Sequence, residues 1–279
     1  MDNGARAFVN PQSRLTVRAV HRKEFDITPS PMCITGGDYR YQHVQGGCEA
    51  NGYLYTCMVS AGMNPTKCCI FKHDIASGKL VGHSDELELG HANDAAYNPD
   101  NNTIIVSLCD GTTRMAILDA DTLELRDVVT LEGHVLCNIH YDPVSKIYAA
   151  AAVQCEKIYV YDSEFRLIRS FDAFMTPGEV VEYSMQGAIT DGIYMYVLEW
   201  HGGRQWGELK GQGGATNETS SSHFNVFDLR TGEHAGVIDL HIPRETEYAV
   251  YKNGKFLIGC NNIRWNGLEV YEVEITSEE

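Results

Sequence analysis

The chain is 279 residues long, 43% hydrophobic, and carries a formal charge of −16 at pH 7 from 38 acidic and 22 basic side chains. That balance excludes a nucleic-acid binder, which needs clustered Lys and Arg to neutralise phosphates, and it disfavours an anionic membrane surface. No apolar run reaches transmembrane length and the opening MDNGARAFVNPQSR has no signal-peptide hydrophobic region, so the expected location is the cytoplasm.

Residues 1–14 read as a flexible N-terminus and residues 15–275 as a single domain, followed by a tail at 276–279. The domain opens on LTVRAVHRKEFDI, a strand-like segment that stands apart from the groups of four that follow. The first group is QGGCEANG, YLYTCMVS, CCIFKHD and KLVGHSDELEL. The second is HANDAAYNP, TIIVSLC, MAILDAD and TLELRDVVTL. The third is NIHYDP, KIYAAAAV, KIYVYD and LIRSFDAF. The fourth is MQGAITDG, IYMYVLEW, FNVFDLR and AGVIDLHI. The fifth has only three members, EYAVYKNG, KFLIGCNN and LEVYEVEI. The turns carry Asn-Gly, Asp-Gly, Asn-Pro and Asp-Pro, residues that preset or tolerate turn dihedrals. The middle strands are continuous β-branched, aromatic and small apolar runs, as strands covered on both faces require.

An acidic residue closes the third strand of each group: Asp74, Asp119, Asp162, Asp228 and Glu272, at intervals of 45, 43, 66 and 44. A period in the forties built of strands alone predicts an all-β chain, a five-bladed β-propeller with four antiparallel strands per blade. The segment near residue 15 is expected to supply the missing outer strand of the last blade, which removes a free edge. Six blades is the alternative, if residues near 14 to 40 form a blade of their own. The long interval holds an insertion in blade four, residues 201–222 (HGGRQWGELKGQGGATNETSSS), Gly- and Ser-rich and carrying Trp206; such a loop is either disordered or a functional lid. The nine cysteines show no CxxC spacing, and Cys57, Cys109, Cys137, Cys155 and Cys260 fall inside apolar strands, so buried free thiols are expected.

In a propeller the first strand of each blade lines the channel, and its opening residues crowd around one mouth. Those residues here are polar. Carboxylates crowded in a narrow desolvated site raise one another's pKa, which makes a general acid, and an imidazole beside them is a base near neutral pH. The candidate catalytic set is His91, Asp94, His134, Glu182 and Glu247. Gln45, Asn93, Asn138, His140, Tyr183, Gln186, Trp200 and Trp206 are candidates for binding a substrate. The competing role for each is structural: channel side chains also hydrogen-bond water and strand ends, and a His can tie two blades together. His91, His134 and His140 with a carboxylate make an alternative Zn or Mn set, but no HExxH motif is present and the expectation is no metal and no cofactor. No nucleotide-binding Gly motif and no GxSxG elbow occurs. The repeated closing Asp is assigned to capping turn amides. The expected protein is an enzyme of the lyase, cyclase or hydrolase kind acting on a small polar or carbohydrate-like molecule at the axial mouth. The alternative is a non-catalytic propeller that binds a protein, peptide or glycan.

Two resemblances support the frame. LEGHVLCNIHYDP with KIYVYD is similar to a WD40 repeat at Gly133-His134, the Asp142-Pro143 turn and Asp162, although no blade ends in Trp-Asp. YQHVQGGCEANGYLYTCMVSAG resembles the opening blade of the plant and bacterial type of glutaminyl cyclase, a five-bladed propeller, at Gln45, Gly46, Gly52, Leu54 and Tyr55. The family's acidic residue after that strand is replaced here by Thr56-Cys57-Met58, and its Gly-Glu-Gly segment by Gly90-His91-Ala92. The resemblance therefore implies five blades and a ligand site at the channel mouth, and does not carry over the cyclisation residues.

Overall fold

Short β-branched and aromatic runs between tight turns satisfy their backbone groups only by pairing with one another. In the computed structural model, which describes residues 7–25, 34–35, 39–60, 67–173, 184–201, 221–262 and 267–277, they pair into five antiparallel sheets. Strand β1 (Leu15–Phe25) comes first in the chain. Blade one is β2 (Ile34–Thr35), β3 (Tyr39–Ala50), β4 (Tyr53–Ser60), β5 (Cys68–Asp74) and β6 (Leu80–His83). Blade two is β7 (Asp94–Asn98), β8 (Thr103–Ser107), β9 (Arg114–Asp119) and β10 (Leu125–Thr130). Blade three is β11 (His140–Asp142), β12 (Ile147–Ala151), β13 (Lys157–Asp162) and β14 (Leu167–Asp172). Blade four is β15 (Ser184–Thr190), β16 (Tyr194–His201), β17 (Ser221–Asp228) and β18 (His234–Asp239). Blade five is β19 (Thr246–Lys252), β20 (Lys255–Asn261) and β21 (Leu268–Ser277).

The outer strand of blade five is β1, in antiparallel register from Leu15 opposite Ser277 to Phe25 opposite Leu268. The chain is thus a five-bladed propeller closed by its own N-terminal strand, and the six-blade alternative fails because β2 only adds a short fifth strand to blade one. Two boundaries differ from expectation. Thr276 and Ser277 continue β21 opposite Thr16 and Leu15. Residues 7–14 are anchored from Phe8 onward: its ring stacks on Tyr251 at 4.0 Å, its amide donates to Asp191 Oδ2 at 2.9 Å, and Val9 is buried with the core of blades four and five. An apolar pair at the start of the chain has a seam to fill. The blade-four insertion lies outside the described residues apart from its first residue and its last two.

The core lies between blades. Tyr196, Phe224 and Phe256 interlock at the seam of blades four and five, and Tyr141, Tyr148 and Tyr161 at the seam of two and three. The repeated aspartates do cap turns: Asp119 Oδ1 accepts the amides of Asp121 and Thr122 at 2.8 and 2.9 Å, and Asp162 Oδ1 those of Glu164 and Arg166 at 2.9 and 3.0 Å. Asp74 and Asp228 do the same for Ser77 and Arg230. Glu272, the departure from Asp, pairs with Lys255 instead.

The cysteine expectation needs correction at Cys155, which ends a 3-10 turn (Val153–Cys155) between β12 and β13, and at the pair Cys109 and Cys137. Cys109 and Cys137 form a disulfide, whereas Cys48, Cys57, Cys68, Cys155 and Cys260 are free and buried, and Cys69 is buried. Neither bonded cysteine is inside a strand: β8 ends at Ser107 and β11 begins at His140. Both therefore sit in connections, where blades two and three meet at the mouth.

Candidate site at the axial mouth

Strands β3, β7, β11, β15 and β19 line the axis. Three of them break register at the same end: β3 between Val44 and Gly47, β15 between Met185 and Ala188, and β19 between Thr246 and Tyr248. A bulge re-aims the side chain it contains, and these bulges contain Gln45, Gln186 and Glu247. Asn93 and Asn138 stand just before the ordered pairing of β7 and β11. Each blade therefore presents one carboxamide or carboxyl at the mouth, and all five are buried.

Several of these groups are latches between blades. Asp94 Oδ1 accepts the Ala95 amide at 2.9 Å. Its Oδ2 accepts the Ile139 amide of blade three at 3.2 Å and the Ala188 amide of blade four at 3.0 Å. Burial pushes the Asp94 carboxyl well above the usual carboxylate range, against the pull of those three N–H donors. Its neighbours leave no spare room: a Cβ on Gly46 would overlap the Asp94 backbone, and one on Gly187 would lie 2.9 Å from Asp94 Oδ1. Asn93 Nδ2 donates to Cys137 O at 3.0 Å, and Asn138 accepts the Ala151 amide at 2.7 Å while reaching Gln186 O at 3.5 Å. His140 Nδ1 accepts the Thr190 amide at 3.2 Å, and burial pushes this imidazole down to about 4, so it stays neutral. The Gly46 amide donates to Ala92 O at 3.1 Å, and Asn261 closes the ring by accepting the Val44 amide at 2.8 Å.

Other groups are left for chemistry. Asn261 Nδ2 reaches both Glu247 Oε1 and, at 3.3 Å, Glu245 Oε2. One amide thus bridges two carboxyls on alternate residues of blade five. Burial pushes Glu245 up to about 7. Burial and the charge of Glu245 push Glu247 well above the ordinary range. Glu245 lies one residue before β19, so its place on the strand is not evident from the strand pattern; its spacing of two from Glu247 is the signal that marks it. The neighbouring cation, Arg244, is committed to Glu269 at 2.9 Å. The Gln45 and Gln186 side chains make no hydrogen bond to the described residues.

The remaining candidates disperse. His91 is half-buried in the turn before Ala92, and burial lowers its pKa. His134 does not reach the mouth: because β11 begins only at His140, residues 131–139 form a connection. His134 lies exposed in an open groove of about 830 Å³ with Thr112, Val153 and Glu156, its Nδ1 3.6 Å from Glu156 Oε1. Among the described residues no group of three or more His, Cys, Asp or Glu is placed to hold a metal, and His91, His134 and His140 do not converge. Trp200 is 1% exposed, so it presents no ring face for stacking; its Nε1 has no hydrogen-bond partner among the described residues. Glu182, Tyr183 and Trp206 lie outside the described residues.

No protein-family model matches the chain, and no curated protein matches it. Among solved structures, it superposes on glutaminyl cyclase from Myxococcus xanthus with a TM-score of 0.62 at 12% identity, over 96% of this chain and 99% of that one. What the two share is the five-bladed propeller frame. At this identity the likeness is one of fold alone. A member of the DUF4221 family from Bacteroides vulgatus (TM-score 0.49, 10% identity, 96% and 100% of the two chains) and hydrazine synthase from Kuenenia stuttgartiensis (0.45, 13%, 78% and 62%) are more distant.

Proposed function

We propose that this propeller is an enzyme that performs acid/base chemistry on a small polar substrate at its axial mouth, with Glu245 and Glu247 as the proton-carrying pair. The observation that carries this is the Asn261 bridge between the buried Glu247 carboxyl and the half-buried Glu245 carboxyl, the latter poised near pH 7. Two carboxyls held this close do not ionise together at neutral pH, so one keeps a proton to donate while the other can accept one. Lyase, cyclase and hydrolase reactions all need such a transfer to or from a leaving group. Gln45 and Gln186, uncommitted carboxamides at the mouth, supply donors and acceptors to orient a neutral substrate. The fold-level likeness to a glutaminyl cyclase adds cyclisation to the reaction types worth testing.

The test has two steps. The pure protein is screened by thermal shift against small neutral amides, amino acids and sugars, because a ligand raises stability by mass action. Turnover of any ligand found is then compared with that of the Glu245→Gln and Glu247→Gln variants. The expected loss is at least 100-fold in kcat with binding kept within about tenfold. Undiminished turnover in both variants would remove the carboxyl pair from the mechanism. A second role, as a non-catalytic binding propeller, is favoured by one observation: Asn93, Asp94 and Asn138 are occupied as latches. It requires ligand binding with no turnover.

A further inference from the structure

We propose that the Cys109–Cys137 disulfide is a thiol-exchange site through which a dithiol reductant controls the order of the axial mouth, independently of the acid/base chemistry above. The bond joins the segment after β8 in blade two to the residue before Asn138 in blade three. It lies within a strip of non-covalent latches between the same two blades. Cys137 O accepts Asn93 Nδ2, Leu136 O accepts Ser107 Oγ at 3.2 Å, and the Ile139 amide donates to Asp94.

The backbone of that strip is strained. Ala92 (φ 49°) and Cys109 (φ 44°) are non-glycine residues in the left-handed region. Such conformations persist only where the surroundings over-determine them. A covalent tie at Cys109 is one of the constraints, and its loss releases the segment that carries Asn93 and Asn138.

Accessibility selects this pair. Cys109 is half-buried while Cys137 is 6% exposed, so an incoming thiolate meets the Cys109 sulfur. Among the described residues, Cys48, Cys57, Cys68, Cys155 and Cys260 are buried free thiols, and burial raises the pKa of each, which keeps them protonated and unreactive. The exchange balances with one dithiol. Its thiolate attacks Cys109 Sγ and forms a mixed disulfide, and Cys137 leaves as thiolate and takes up a proton. The donor's second thiol then attacks the mixed disulfide, and Cys109 leaves and is protonated. The protein gains two electrons and two protons, and the donor becomes a disulfide. In a reducing compartment disulfides are chiefly of this transient, sensing kind, whereas in an oxidising one the bond stays closed.

The experiment uses the full chain with dithiothreitol as the dithiol. Iodoacetamide labelling of denatured protein, read by intact mass, is expected to show two more labelled thiols after native reduction and re-isolation. Hydrogen exchange of the folded protein is expected to speed at least tenfold over residues 107–113 and 134–139 on reduction, with 15–25 and 268–277 unchanged. Cys109→Ser should exchange fast in this strip with or without dithiothreitol. If that variant does not fold, the reduced and oxidised wild type carry the comparison alone. No gain of thiols, or a gain without faster exchange in the strip, overturns the proposal. So does equal acceleration in blade five, which marks a global staple.

Discussion

An aspartate on the axis of a propeller has two available roles, and its partners distinguish them. Asp94 receives three backbone amides from three blades, so its oxygens are already occupied. Asp94→Asn would turn an NH2 group towards at least one of those amides and leave buried donors unpaired, at a cost of about 2–4 kcal/mol. Urea unfolding checks this; an unchanged midpoint would reassign Asp94 from structure to chemistry. Glu245 makes a pH prediction. Its folded pKa is raised from 4.5 to about 7, so the protonated form is the one the fold favours. The stability it contributes is complete below about pH 4.5 and is lost as pH rises through 7, a span worth on the order of 3 kcal/mol. Glu245→Gln should gain stability relative to wild type between pH 5 and pH 7.5, measured by urea unfolding at both. Asn93, Asp94, Asn138, Gln45, Gln186 and Glu247 were locatable in the sequence because the repeat fixes where inner strands begin. Their division into latches and free groups was not, because it depends on which backbone amide of the next blade lies within 3 Å.

The elements that close the ring make their own predictions. Strand β1 covers the edge of β21 along ten residue pairs, from Leu15 to Phe25. Removing residues 1–25 exposes that edge together with the Phe8 and Val9 seam, and size-exclusion chromatography should show aggregates in place of a monodisperse species. A monodisperse truncated protein would show that blade five is stable on three strands. The sequence pattern revealed the missing outer strand because blade five is one run short. It hid the disulfide, because Cys109 and Cys137 directly adjoin the apolar runs of β8 and β11 and look like strand residues until the strands are seen to stop short of them.

For the whole molecule, the architecture was legible because it is repetitive: five acids set the period, and the four aspartates among them cap the same turn in their own blades. The site was legible only in outline because it is where the repeat breaks. The bulges at Gln45, Gln186 and Glu247 aim two carboxamides and a carboxyl at one mouth, and nothing periodic marks Glu245. His134 shows the same limit from the other side, since the Gly-His pair repeats in two blades yet its second copy faces a peripheral groove. The central claim is that blade five carries a coupled carboxyl pair able to hold a proton at neutral pH. A carbon-13 NMR titration of glutamate side-chain carboxyls, assigned with Glu245→Gln and Glu247→Gln, tests it directly. The account predicts that at least one of the two titrates near pH 7 or above, and that Glu247 moves down when Glu245 is replaced, because the charge of Glu245 is part of what raises it. Two independent titrations below pH 5 would contradict it.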